Sequence, residues 1–384
     1  MLNYIIDTSL KYKFLVITLF LAITAFGYKA YIEIPIDAFP DITPKQVVIY
    51  TESPGNSAED IEKLITYPIE SAVSGMADVK MIMSNSIFGL SYVSIFFEEK
   101  QDIYFLRQLV SERLTGVDIP KGWGKPVLGP NTTGLGQVFW YEVKDSTTKY
   151  SLQEIKEMQE YIVTPLLKSV SGVEEVIGWG GDEKQYNVLV DTKKLQNIDV
   201  TYEDVVNALQ KSNQAAGGQY LEFNREQYLI RGAGLYKSLD DIRNTVIKSG
   251  AGQAVTIRDV ATVAAGNAPR FGAVSIDAKE AVMGMVLQRT ATNAAEVVKL
   301  IKEKLPTVNA ALPKGVSVET IYDRTEITHK AVRTMTSALF WGVILVVIVL
   351  FFFLFELRSA FIVIISLPLS LLMAFLLMDY YGLS

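Results

Sequence analysis

Two pairs of methionines stand at i, i+2 spacing: Met81 with Met83, and Met283 with Met285. Residues two apart on a strand share a face, and paired thioethers suit a soft cation such as copper(I) or silver. The same spacing serves equally as adaptable core filling, because methionine moulds itself to irregular gaps. Glu98-Glu99 with Asp102, and Asp240-Asp241, are groups that attract divalent cations or simply solvate a surface. His329 is the single histidine, which excludes a multi-histidine centre, and the lack of cysteine excludes disulfides and thiolate sites. There is no nucleophile elbow and no phosphate loop, so hydrolytic and nucleotide chemistry lack their carriers. The sequence reads as a non-enzyme with no resident cofactor, and none of these groups is assigned as a metal ligand.

The elements that must position such residues belong to a chain of 384 residues, 49% hydrophobic and 20% charged, richer in apolar residues than a soluble average. A net charge of −6, with no basic patch interleaved with aromatics, argues against a nucleic-acid partner. Three apolar runs dominate: residues 14–28 (FLVITLFLAITAFGY), 334–355 (TMTSALFWGVILVVIVLFFFLF) and 360–378 (AFIVIISLPLSLLMAFLLM). A helix of ~20 residues at ~1.5 Å rise crosses the ~30 Å hydrocarbon core. The second and third runs are long enough outright. The first reaches that length once Lys29 snorkels and Ala30 and Tyr31 are counted. A cleaved signal peptide is the alternative for the first run, but no small-x-small site before a polar mature start is evident.

Lys11 and Lys13 place the N-terminus in the cytoplasm. Residues 34–333 then lie outside, and the turn at 356–359 returns to the inside. Pro368 predicts a kink in the third helix. None of the three runs holds an ionisable residue. Such residues cost roughly 2.5–3.5 kcal/mol in a membrane and mark function, so these helices are expected to offer no proton path.

The external stretch alternates strands and helices. Strands are predicted at 46–52, 79–84 and 91–97. A helix capped by Ser57 runs to Val73 with Ala58, Ile61, Leu64, Ile65, Ile69, Ala72 and Val73 on its apolar face, and another covers 101–114. This order is the split-βαβ, ferredoxin-like pattern. It recurs with strands at 137–143, 173–179 and 186–191 and helices at 152–170 and 201–212. Residues 68–79 (PIESAVSGMADV) line up with 165–176 (PLLKSVSGVEEV), as a duplication would. Residues 217–223 and 227–231 form the arms of a hairpin, either an edge of its own domain or an arm docking on a neighbour. A strand at 281–289, a helix at 294–305 and a strand at 316–322 lead into the second apolar run. The predicted class is α+β: membrane helices plus tandem ferredoxin-like extracytoplasmic units with an insertion.

An ordered set of short motifs runs along the chain. Pro35-Ile36-Asp37-Ala38-Phe39-Pro40-Asp41-Ile42 follows the first apolar run, and Thr51-Glu52-Ser53-Pro54-Gly55 follows the first strand. Then come Phe88-Gly89-Leu90-Ser91-Tyr92-Val93, Leu128-Gly129-Pro130-Asn131-Thr132-Thr133-Gly134-Leu135-Gly136 and Leu357-Arg358-Ser359-Ala360. Together they resemble the heavy-metal efflux branch of the resistance–nodulation–division (RND) transporters, of cobalt–zinc–cadmium and copper–silver type. The resemblance implies a proton-driven, homotrimeric pump in the inner membrane, joined to a periplasmic adaptor and an outer-membrane channel, with metal cations as substrate. It implies a first porter subdomain at 34–134, a second at 135–184 and 269–330, and a docking subdomain at 185–268. Residues 1–33, 331–356 and 360–380 would carry the cytoplasmic start and membrane helices one to three. The docking subdomain would present an intersubunit arm carrying Gly217, Gly218, Tyr220, Tyr228 and Arg231. Family members are longer, with twelve membrane helices, so the expected relay carboxylates and best-known metal ligands would follow Ser384, and this stretch alone is expected to be inactive. An organic-solute exporter of the same superfamily, and a membrane-anchored sensor, are the alternative readings. The motifs lean slightly towards divalent ions.

Overall fold

The computed structural model describes residues 11–33, 43–223, 226–249, 254–270, 272–290, 292–354 and 357–381. Helix α1 (Lys13–Glu33) is apolar along most of its length. Next come β1 (Gln46–Glu52), helix α2 in three pieces (Ala58–Ile61, Glu62–Thr66, Tyr67–Val73), β2 (Val79–Ile87), β3 (Leu90–Phe97), α3 (Ile103–Thr115) and a short β4 (Val127–Leu128). These four strands form one antiparallel sheet in the order β2-β3-β1-β4, the order of a split βαβ unit. Ile61, Ile65, Ile69 and Val73 of α2 and Leu106 and Val110 of α3 bury one sheet face around Val47, Ile49, Val93 and Ile95. Leu64, expected in the apolar face of α2, stays exposed.

The second half of the body begins with β5 (Gln137–Asp145), helix α4 (Leu152–Met158, Gln159–Val163, Thr164–Lys168) and β6 (Val173–Trp179). An insertion follows: β7 (Lys184–Val190), α5 (Thr192–Ile198), α6 (Tyr202–Ser212), the hairpin β8 (Ala215–Phe223) and β9 (Glu226–Ala233), then α7 (Leu239–Arg243), β10 (Val246–Lys248), β11 (Val255–Thr256), α8 (Ile257–Val260) and β12 (Ala261–Asn267). A small hairpin, β13 (Val274–Ile276) and β14 (Lys279–Ala281), leads to β15 (Met283–Gln288), α9 (Ala294–Ala311) and β16 (Val316–Asp323). The second large sheet has the order β16-β5-β15-β6, again antiparallel. Its third strand is therefore β15, not the predicted strand at 186–191, and its second helix is α9, not the one at 201–212. That earlier strand is β7, which pairs with β12 over a core of its own around Val205, Ile257 and Val260. The sequence pattern repeats in chain order, whereas the sheet closes across a long insertion, from Lys184 to Asn267, that alternation cannot reveal.

The two helices α2 and α4 share a local irregularity. In α2 the N–H of Tyr67 bonds the carbonyl of Glu62, and in α4 the N–H of Thr164 bonds that of Gln159, both five residues back. Each wide turn precedes a proline, Pro68 or Pro165, which has no N–H to offer and whose ring crowds the carbonyl four residues back.

Two further boundaries differ from expectation. Helix α9 continues through Pro306 to Ala311 rather than ending at 305. The second apolar run is the distal part of a longer helix, α10 (Arg324–Leu354), which starts directly at the end of β16, so His329 lies inside the helix. Helix α11 (Leu357–Tyr380) follows with Pro368 inside it.

Candidate functional site

The motif residues between Pro54 and Gly136 fall at joints of the α+β body. Pro54 and Gly55 form the exposed turn after β1, and Gly89 the turn between β2 and β3. The N–H of Ser53 donates to the carbonyl of Gly89 at 2.8 Å, and the N–H of Gly89 to that of Asn56 at 3.1 Å, so the two turns are zipped together. Gly89 has φ +79°, a backbone state that costs an L side chain roughly 1–2 kcal/mol.

The segment from Gly129 to Gly136 is the seam between the two sheets. The N–H of Gly129 donates to Val48 O at 2.8 Å, and Arg107 donates to Gly129 O at 2.8 Å, anchoring one end to the first unit. Pro130 and Gly134 are exposed, while Gly136 is buried and accepts from the N–H of Gln288 at 2.8 Å. Between them Asn131 is only 5% exposed. Its N–H donates to Glu174 Oε1 at 3.0 Å, and its carbonyl and Oδ1 accept from the Thr290 hydroxyl at 3.2 and 3.1 Å. Arg289 Nε donates to Glu174 Oε2 at 3.0 Å. Nothing in the motif announced this role for Asn131, because its partners come from β6 and the end of β15.

A second joint ties the body to α10. Asp323, 4% exposed, ends β16 and accepts from the N–H and hydroxyl of Thr325 at 2.8 and 2.6 Å. Lys302 of α9 pairs with its other oxygen. Burial pushes this carboxyl up, but the ammonium and the Thr325 donors outweigh it and hold the pKa below the ordinary aspartate value. Arg324, the first residue of α10, donates to Leu135 O in the seam.

Helix α10 is lipid-like on its surface: Leu339, Phe340, Trp341, Leu345 and Phe352 are all more than half exposed. Among the described residues two helices are long and apolar enough to cross a membrane, over Lys13–Tyr31 and Arg324–Val349. Of the predicted third crossing, the described apolar part is Pro368–Met378. Helices α1 and α11 cross tightly: a Cβ on Gly27 would lie 2.7 Å from the Leu372 carbonyl, and Tyr31 meets Phe375 with ring centroids 5.2 Å apart. Close approach through a small residue is how membrane helices associate.

The remaining expected residues fall as follows. Asp37, Pro40 and Asp41 lie outside the described residues. Arg358 and Ser359 sit in the first turn of α11. In the hairpin, Gly217 pairs with Arg231, Tyr220 with Leu229 and Leu221 with Tyr228, with the ladder irregular around Gly218. Tyr220 and Tyr228 are 56% and 53% exposed. Glu98 is paired with Lys100 at 2.6 Å, Asp102 caps α3, Asp240 pairs with Arg243 at 2.9 Å and Asp241 caps α7. Those carboxylates are thus committed to local structure, and His329 is exposed. Among the described residues no group of three or more His, Asp or Glu side chains is placed to hold a metal ion.

Among the described residues, an α+β body with two like sheets and an insertion is set between apolar helices. The sequence profile of the AcrB/AcrD/AcrF family matches residues 5–384, and the chain belongs to that family, in its heavy-metal efflux branch. It is 37% identical along its whole length to the cobalt-zinc-cadmium resistance protein CzcA of Cupriavidus metallidurans, and 36% to the putative cation efflux system protein SilA of Salmonella typhimurium. In both cases it spans 37% of the relative's own length. A crystal structure of a heavy metal efflux pump superposes with TM-score 0.89 at 31% identity, over 98% of this chain and 38% of the other.

Proposed function

We propose that this chain is part of a proton-driven inner-membrane pump that exports heavy-metal cations. The observation that carries the reading is the end-to-end likeness to curated proteins named for cation efflux or metal resistance. Supporting it, β16 runs into the lipid-like α10 without a break, so a movement of the membrane helix reaches the second sheet through the Asp323–Lys302 pair. In this reading the first sheet and its helices are the porter subdomain of residues 34–134. The second sheet is that of 135–184 and 269–330, and the insertion is the docking subdomain of 185–268. Residues 34–333 face the periplasm. The assembly is a homotrimer with a periplasmic adaptor and an outer-membrane channel as partners, and the hairpin reaches a neighbouring subunit. Proton transfer falls to residues outside these three helices, since their apolar runs hold no ionisable side chain, and the 384 residues expressed by themselves give no resistance.

The test is to delete the gene in its host and measure cell metal by mass spectrometry after exposure to zinc, cobalt, cadmium, nickel, copper and silver. Retention of at least one metal should rise several-fold and return to normal on complementation. Unchanged metal content with retention of an organic dye instead would favour the organic-solute alternative.

A further inference from the structure

Helix α9 and the first turns of α10 border an open groove of about 780 Å³. Glu296, Lys299, Lys302 and Glu303 of α9 line one side of it, and Thr325 and His329 of α10 the other. Lys302 is held by the buried Asp323. Glu296 stands one turn before Lys299, and Lys299 one turn before Glu303, spacings at which opposite charges on a helix are neighbours. Elsewhere such neighbours pair, as Lys63 does with Glu59, Lys156 with Glu160 and Arg243 with Asp240. In the groove, among the described residues, the side chains of Glu296, Lys299, Glu303 and His329 make no ion pair or hydrogen bond. The level of the groove follows from α10. Its apolar run starts at Thr334, so at ~1.5 Å per residue His329 stands about 7 Å outside the hydrocarbon. A headgroup layer is roughly 5–7 Å deep on each side of a bilayer. Phe340, about three turns further along, returns to the face of His329 and is exposed.

We propose that this groove seats the headgroup of a membrane phospholipid with a primary amine, of the phosphoethanolamine class. It rests on the reading of α10 as a membrane helix and on nothing about the cargo. The lipid phosphate accepts from the ammonium groups of Lys299 and Lys302 and from the His329 imidazole, as phosphates do from lysine point charges. The lipid ammonium donates to Glu296 and Glu303, which would otherwise repel the phosphate. The mixed charge of the groove selects the headgroup. A glycerol headgroup brings no cation to the two carboxylates, and a quaternary amine has no N–H to donate to them. The acyl chains then lie along the exposed face of α10 through Phe340, where water offers them nothing better. Basic pockets beside membrane helices hold phospholipid headgroups on the same electrostatic grounds; the carboxylates are what would distinguish this one.

The 384-residue chain, delipidated in detergent, tests this by native mass spectrometry. It is titrated with phosphatidylethanolamine, phosphatidylcholine and phosphatidylglycerol of identical acyl chains, and retained lipids are counted. One phosphatidylethanolamine should be held several-fold more tightly than either of the others. Glu296→Gln/Glu303→Gln should abolish its advantage over phosphatidylglycerol, a change of preference that a merely structural role would not produce. Lys299→Ala/His329→Ala should weaken its retention several-fold, and Lys330→Ala, on a different face of α10, should leave it intact. All five positions are exposed, and the circular dichroism spectrum should be retained. Equal retention of the three lipids by the parent, or an unchanged preference in the glutamate variant, overturns the site. Glycerophosphoethanolamine, the headgroup without acyl chains, should fail to displace the lipid at equal concentration; displacement would make the site one for a soluble phosphate ester and overturn the membrane assignment. The efflux reading is judged separately by cell metal content and survives any of those results.

Discussion

Asn131 and Asp145 show how single residues hold the α+β body together. Asn131 is buried at the seam and shares its polar atoms between Glu174 and Thr290. Asn131→Ala keeps the main-chain bond to Glu174 but removes the Oδ1 acceptor from the Thr290 hydroxyl, and should cost about 1 kcal/mol, read as a lower denaturation midpoint of the purified chain. Asp145, at the end of β5, accepts from the Thr147 hydroxyl and from the N–H groups of Thr147, Lys149 and Tyr150. The Thr147 hydroxyl bond and then these amides hold its pKa down to about 2. A depressed carboxylate stabilises the fold above the ordinary aspartate range, and that contribution is lost as pH falls towards 2. Asp145→Asn should therefore flatten the acid limb of a stability-against-pH curve while leaving the neutral region closer to the parent. Neither role was legible beforehand. The Gly-rich motif around Asn131 was visible, but Glu174 and Thr290 lie 43 and 159 residues away.

At the scale of elements, local pattern was readable and long-range closure was not. Ser57 caps α2 as expected, its hydroxyl accepting from the N–H of Asp60 at 3.2 Å. The strand β7 was found from its alternation, yet its partner β12 and its exclusion from the second sheet depend on pairing that no local window contains. Leu64 illustrates a subtler failure: the wide turn at Glu62–Thr66 departs from the regular helical period on which its assignment to the apolar face rested. The apolar runs were legible because membrane length needs only composition. Their orientation is testable, since the chain has no cysteine. Single cysteines at Lys121, which is exposed, and at Ser359 should differ, with a membrane-impermeant maleimide added to intact spheroplasts labelling the first and not the second. The reverse pattern would invert the topology.

At the scale of the whole molecule, the described residues form two like units joined by a seam, an insertion carrying a hairpin, and apolar helices at either end. The hairpin strands pair with each other and present exposed tyrosines. Burying an arm on a neighbour gains about 25 cal/mol per Å² of apolar area, less ordering and desolvation. In the intact transporter, deleting residues 221–229 should reduce the trimer seen by crosslinking and native mass measurement while each subunit stays folded; an undiminished trimer would make the arm a surface hairpin only. Everted membrane vesicles measure the proposed transport itself. Vesicles from the host with the intact gene should take up a metal cation when energised, and lose that uptake with a protonophore or when the gene is deleted. Equal uptake of every metal with and without the gene would contradict the account.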